Sequence, residues 1–289
     1  MAVSLGILMG ILVMLSWGVS DIFAAKASRR ISARVIFFFS QLILVLLFLV
    51  SSRFHAFPAR ISPVDMALIA SCGVLSLVGY LSLIKGLQQG PISVVSILSG
   101  SAPVITVIIA LLFLDEKISL LQGIGVICAI MGAILASLSL KGMGSFSFES
   151  WKKGARYGFF SMVGFGLFYV IADGLVERMG GFYPIFLAKS VSFLIFLCLP
   201  GALSAVRGEK ISGRWLWFMI GAIGILEFLG QFFYGRGVEI GQTAIIVPIA
   251  SAFPIVTITL AHIFFRERLQ KSQYLGIATA LIGIVMIVI

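Results

Sequence analysis

The sequence predicts an all-α membrane protein of ten transmembrane helices, arranged as two inverted five-helix repeats. Three observations predict it. First, 60% of the residues are hydrophobic and only 11% are charged, with a mean hydropathy of +1.16; ordinary globular chains carry about 25% charged residues, so lipid has to be the solvent. Second, the 289 residues divide into apolar runs close to the roughly 20 residues that cross the hydrocarbon core. Third, the pattern in the first half of the chain returns in the second.

The first run covers 4–24 and carries Trp17 and Asp21 late in the span. It has no basic leader and no small-residue cleavage site, and a basic loop follows, so it reads as a span and not as a removable signal. The second covers 35–52, and the third, 64–86, holds Ser76, Tyr80 and Leu83. Gln88-Gln89-Gly90-Pro91 makes a tight connection into the fourth, 91–114, where Ser96, Ser99, Gly100 and Ser101 lie beside Pro103. Proline removes a backbone hydrogen bond and frees a carbonyl for protein, water or ligand. Glu116 closes that span, where a helix-end role in loop geometry is expected. The fifth run, 119–140, spaces Gly125 and Gly132 two turns apart, a pattern that lets helices approach closely. Lys141 to Lys153, rich in Gly, Ser and charge, reads as a linker, giving repeats at 1–140 and 155–289 with 141–154 between them.

The sixth run, 155–176, places Tyr169 and Asp173 as the first places Trp17 and Asp21, and the seventh, 182–203, contains Lys189. The eighth, 214–236, carries Glu227, Gln231 and Tyr234; their i, i+4, i+7 spacing puts all three on one helix face. After the tight Glu239-Ile240-Gly241-Gln242 connection, the ninth run, 242–265, contains Pro248 and Pro254 and is followed by Glu267. The tenth, 270–289, repeats the glycine spacing with Gly276 and Gly283. At one constant offset Gly86 meets Gly237, Pro103 meets Pro254, Thr106 meets Thr257, Glu116 meets Glu267, Gln122 meets Gln273 and Gly132 meets Gly283. Matched Glu and Gln in apolar sequence argue for duplication over shared composition. Five spans are an odd number, so the second half enters the membrane from the opposite side. Inverted repeats of this kind place a solute site near the midplane, between two halves that alternate access.

The net charge is +10, but the basic residues stand in short segments between apolar runs, where they meet headgroups and not nucleic acid. The excess of Lys and Arg after spans 1, 5, 7 and 9 predicts those loops to be cytoplasmic and the termini to be outside. Cys72, Cys128 and Cys198 all lie in apolar runs, without the spacing of a disulfide framework or a metal site. His55 and His262 likewise lack ligand spacing. Nucleotide-binding and hydrolase motifs are missing from the sequence, so no cofactor, resident metal or catalytic residue is expected and any active transport is secondary.

Ionisable residues inside the membrane are functional candidates. Glu227, Gln231 and Tyr234 form an expected cavity wall, joined from the first half by Tyr80 and Ser99. Lys189 either pairs with Glu227, holds a substrate carboxylate or, through its long stem, snorkels to an interface, the last being favoured. Asp21 with Trp17 and Asp173 with Tyr169 are candidate gating pairs, one toward each mouth; the alternative is that each aspartate offsets a nearby cation, Lys26 or Arg178. Pro103, Pro248 and Pro254 are the candidate helix breaks.

Ser101-Ala102-Pro103 through Leu114-Asp115-Glu116-Lys117, repeated as Ala252-Phe253-Pro254 through Phe265-Arg266-Glu267-Arg268, resembles the EamA-like branch of the drug/metabolite transporter superfamily, and the resemblance covers essentially the whole chain. It implies export or exchange of small organic metabolites, amino-acid-like solutes favoured, through a cavity lined by both halves, in a multi-pass protein of the cell membrane. The expected partners are the solute, the bilayer and a coupling proton or counter-substrate. A non-transporting membrane scaffold or assembly factor is the competing expectation.

Overall fold

The computed structural model describes residues 2–58, 60–105, 109, 119–137, 147–240, 246, 249–265 and 271–288. Pro248, Glu116 and Glu267 lie outside the described residues. Among the described residues the chain is helical without strands: α1 (Ala2–Ser28), α2 (Ala33–Ser51), α3 (Pro63–Gln89), α4 (Ile92–Gly100), α5 (Leu120–Ser137), α6 (Phe148–Met179), α7 (Tyr183–Cys198), α8 (Ala202–Gly208), α9 (Arg214–Glu239), α10 (Phe253–Phe265) and α11 (Lys271–Val288). Five of them are long and apolar enough to cross a membrane, six if α7 and α8 are one bent span, and shorter apolar helices accompany them. The exterior carries exposed Leu8, Leu15, Leu49, Val74, Ile127, Leu194 and Ile225, the reverse of a soluble surface and the face that lipid would cover.

Local signals set the helix ends. Ser62 and Asp65 form a capping box, in which Asp65 N–H donates to Ser62 Oγ at 3.1 Å and Ser62 N–H donates to Asp65 Oδ2 at 3.2 Å, with Pro63 in the first turn; each bond satisfies a donor that a helix start would leave open. Ser147 caps α6 by accepting Ser150 N–H at 3.2 Å, and Glu149 pairs with Lys153 at 3.6 Å. Residues 148–154, expected as linker, are therefore helix, because a cap and an i, i+4 pair support polar turns that apolar periodicity does not reveal. The seventh run ends early as well. At Leu199-Pro200-Gly201 the chain turns by 79° into α8, with Gly201 at φ 74°, a conformation that favours glycine.

Each helix packs chiefly against helices of the other half. In the first half α3 lies on α6 and α7, and its counterpart α9 lies on α1 and α2; α5 pairs with α11. That last pairing is reciprocal. Gly132 meets the backbone at Gly276 and Ala280, while Gly283 meets the backbone at Gly125 and Ala129. Residue numbers rise along one helix as they fall along the other, so the two equivalent helices run antiparallel about a local two-fold relation. A Cβ added to Gly132 would stand 2.7 Å from Ala280 Cα, and one on Gly283 would stand 2.8 Å from Ala129 Cα. No larger residue fits without separating the helices.

The helix breaks follow the same relation. The helical run is interrupted at Ser101 in the first half and at Ala252 in the second, each two residues before its proline, Pro103 or Pro254. They meet: a Cβ on Gly100 would run into the Pro254 ring.

Gly132→Val and Gly283→Val are expected to lower stability by about 1–3 kcal/mol each through overpacking. Gly221→Ala, where a Cβ meets nothing within 4 Å, should change stability by no more than about 1 kcal/mol, in the stabilising direction. Thermal unfolding of the purified variants in detergent checks both.

Candidate functional site

Buried polar residues of five helices form a band at one level, with apolar core on either side. Along α1 the order is Val13, then Ser16, Ser20 and Asp21, then Ile22 to Ala27; along α2 it is Val35 to Phe37, then Ser40 and Gln41, then Leu44 and Phe48. On α7, Lys189 and Ser192 separate Ile185 from Phe196, and on α9, Glu227 and Gln231 separate Met219 to Ile223 from Tyr234 and Val238. On α3, Ser76 lies between Cys72 and Leu77. One apolar cluster lies above this band and another below it, so the polar side chains share the middle of the molecule.

Contacts within the band cross between halves. Ser20 Oγ donates to Glu227 Oε1 at 3.2 Å, and Lys189 Nζ donates to Ser76 Oγ at 3.0 Å. Lys189 also lies over the Phe168 ring, 5.3 Å from its centroid. Its residue exposure is 1%, which overturns the snorkelling expectation: the ammonium is held inside by a hydroxyl and a ring face and does not reach an interface. Glu227 is within electrostatic reach of Lys189, Asp21 and Tyr80. Among the described residues it forms no direct ion pair with Lys189.

Several groups in the band stay unsatisfied. Tyr80 Oη, Gln231 Oε1, Gln41 Nε2 and Ser192 Oγ are buried without a partner in hydrogen-bonding geometry, although Ser20 and Ser40 approach the Tyr80 hydroxyl and Tyr169 lies beside the Gln231 amide. Leaving a buried polar atom unpaired costs about 1–3 kcal/mol. Four such atoms at one level leave hydrogen-bonding capacity there, least at Tyr80 and Gln231, whose neighbours are hydroxyls.

The aromatic residues close one side of the band. Tyr169 and Tyr234 stand 4.8 Å apart between centroids, and Trp17 lies 6.0 Å from each. Phe253 meets Trp17 edge-on at 6.1 Å. Tyr234 Oη donates to Asp173 at 3.1 and 3.3 Å to its two carboxylate oxygens. Trp17 and Tyr169, expected near opposite mouths, meet in this stack. Asp21 is only 3% exposed and accepts from Ser96 Oγ at 3.3 Å and Thr257 Oγ1 at 3.4 Å, so it lies deep and not at a mouth. The cations proposed to offset the two aspartates go elsewhere: Arg178 pairs with Asp65 at 3.1 Å, and Lys26 lies over Trp215 at 5.7 Å.

The structure thus brings Tyr80 and Lys189 around Glu227, and Trp17, Tyr169, Tyr234 and Asp173 into a second group that Gln231 meets through Tyr169. Ser99 instead pairs with Ser161 of α6 at 3.0 Å. Sequence reasoning missed Ser20, Gln41, Ser192 and Thr257. Gln41 had a readable signal, a lone amide between Phe37-Phe38-Phe39 and Leu42-Ile43-Leu44; the three hydroxyls had none, because Ser and Thr bond within their own helix at little cost.

Residues 4–138 and 152–289 each match a family model described as the EamA-like transporter family. An uncharacterized transporter of Archaeoglobus fulgidus is 22% identical over 287 residues, 99% of this chain and 98% of the relative. An uncharacterized protein of Methanocaldococcus jannaschii is 44% identical over 66 residues, which cover 23% of this chain and 48% of that relative's length. A solved structure described only as the crystal structure of a protein superposes with a TM-score of 0.65 at 12% identity, covering 98% of this chain and 96% of its own. At that identity the likeness concerns the fold alone.

Tyr234→Phe and Asp173→Asn are each expected to destabilise the protein, and a double-mutant cycle should yield a coupling of about 0.5–3 kcal/mol. Unfolding in mixed micelles measures it, and additive effects would mean that the hydroxyl and carboxylate do not hold α6 and α9 together.

Proposed function

As the chain belongs to the EamA-like transporter family of the drug/metabolite transporter superfamily, we propose that this membrane transporter is a secondary carrier that exports or exchanges small organic solutes bearing both an amine and a carboxylate. In this reading the ten spans of two inverted repeats present the polar band alternately to either side of the membrane. The reading is supported chiefly by one observation: the band contains an unpaired set of polar groups flanked by one carboxylate, Glu227, and one ammonium, Lys189.

The chemistry follows from what each group has left to give. An ammonium has three donors, and Lys189 directs one at Ser76, leaving capacity for a solute carboxylate. Glu227 accepts one bond from Ser20 and can accept more from a solute amine. Tyr80, Gln231 and Gln41 offer neutral donors and acceptors between these charges. A zwitterion placed there satisfies both charges and the orphaned atoms at once. A solute with a single charge leaves one of them unpaired in a low-dielectric interior, a cost of several kcal/mol. The Trp17, Tyr169 and Tyr234 stack would then close over the solute as a gate, with the Asp173 bond to Tyr234 holding it shut.

Liposomes loaded with a labelled mixture of amino acids and other metabolites are expected to release zwitterionic members selectively when they contain the wild type, with release falling at least tenfold for Glu227→Ala with Gln231→Ala. Glu227→Gln should lose gradient-driven flux and retain exchange if Glu227 carries a coupling proton. Mass spectrometry of the released fraction reads both. Failure to release any solute, together with cysteines at positions 80, 227 and 231 that no aqueous reagent labels, would favour a scaffold.

A further inference from the structure

A second set of polar atoms lies beside the band, where α1, α4 and α10 meet at the paired helix breaks. Thr257 Oγ1 stands 3.4 Å from Asp21 Oδ2, 3.4 Å from the Gly18 carbonyl oxygen and 3.3 Å from the Phe253 carbonyl oxygen; Ser96 Oγ stands 3.3 Å from Asp21 Oδ2. Ser96 and Thr257 are fully buried. Five oxygens from three helices thus converge, and they share two hydroxyl protons. One Thr257 proton cannot serve three acceptors.

These separations are long for O–H···O hydrogen bonds, which settle near about 2.7–2.8 Å. They are also compatible with another geometry. Oxygens on adjacent vertices around a cation bound at about 2.4 Å stand about 3.4 Å apart. That bond length suits calcium and sodium, which have nearly the same radius, and is too long for magnesium. Charge decides between the two. Calcium sites are built from several carboxylates, whereas Asp21 is the one carboxylate among these five oxygens, balancing a single positive charge.

The charge around Asp21 is a second observation, independent of the oxygen geometry. Asp21 has no ion-pair partner among the described residues, and the charged group facing it is another carboxylate, Glu227. Two carboxyl groups in reach of each other inside a membrane protein are relieved by a proton or by a cation, and Lys189, bonded to Ser76 on α3, faces Glu227 and supplies only one positive charge. Close backbone approach completes the arrangement. A Cβ on Gly18 would stand 3.0 Å from the Phe253 oxygen and 2.5 Å from Val256 Cβ, so only glycine brings the α1 carbonyl against α10.

We propose that a sodium ion binds between α1, α4 and α10, ligated by Asp21, Ser96 and Thr257 side chains and by the Gly18 and Phe253 carbonyls. The ligands come from both halves, α1 and α4 from the first and α10 from the second. Sodium therefore favours the arrangement in which α10 packs on α1 and α4, and any other arrangement of the halves binds it less tightly. The ion is positioned to couple its own gradient to movement of the halves.

Equilibrium binding of radioactive sodium to the purified protein, in choline buffer at pH 8, tests the site without any solute, so its result stands whether or not the zwitterion reading holds. One saturable ion per chain is expected, displaced poorly by potassium. Asp21→Asn and Thr257→Val should weaken binding at least tenfold, and Thr257→Ser, which keeps the oxygen, should restore it. In the wild type, sodium should also raise the thermal midpoint above that in choline at equal ionic strength, and Asp21→Asn should abolish the increment. Absence of saturable binding to the wild type, or binding unchanged by Asp21→Asn, would overturn the proposal.

Discussion

Lipid offers no hydrogen bonds, so every polar group carried into the membrane interior has to find a partner within the protein. That constraint arranges this molecule from the inside out. Leucine, isoleucine and valine cover the exterior, while Asp21, Gln41, Lys189, Glu227 and Gln231 turn inward to one level. Apolar clusters flank that level on either side. Polar atoms left unpaired at that level are costly.

Close helix approach makes such a level possible. Gly132 and Gly283 let equivalent helices of the two halves touch backbone to backbone, while Gly18 and Gly224 admit the Val256 and Ile43 side chains against the backbone, bringing α1 close to α10 and α9 close to α2. Because helices lie mainly against those of the other half, side chains from both repeats reach the same space. The contacts Ser20 to Glu227, Lys189 to Ser76 and Asp21 to Thr257 all cross between halves. Any displacement of one half against the other would alter each of these contacts.

The two halves share a fold without sharing chemistry. Asp21 and Asp173 occupy corresponding places, yet Asp21 accepts from Ser96 and Thr257 deep between helix breaks, whereas Asp173 accepts from Tyr234 beside an aromatic stack. Duplication supplies the scaffold; divergence at single positions, such as Leu83 where the second half has Tyr234, assigns the local role.

Membrane residence, the duplicated halves and the glycine faces were legible because they rest on composition and spacing, which tolerate ignorance of where side chains point. The face shared by Glu227, Gln231 and Tyr234 was legible for the same reason, as helical periodicity fixes it locally. Yet Tyr234 belongs with Asp173 and the aromatic stack, Gln231 meets that stack at Tyr169, and Glu227 belongs with Lys189 and Tyr80. Burial of Lys189, the meeting of Trp17 with Tyr169, and the convergence of Asp21 with Thr257 were decided only by tertiary packing. Partners far apart in the chain meet when helices of opposite halves are pressed together, and hydroxyls leave no periodic trace. The sequence by itself determined the solvent, the repeat and which residues share a helix face; the tertiary structure decided which charges have partners among the described residues and which have none, because those partners lie on helices of opposite halves.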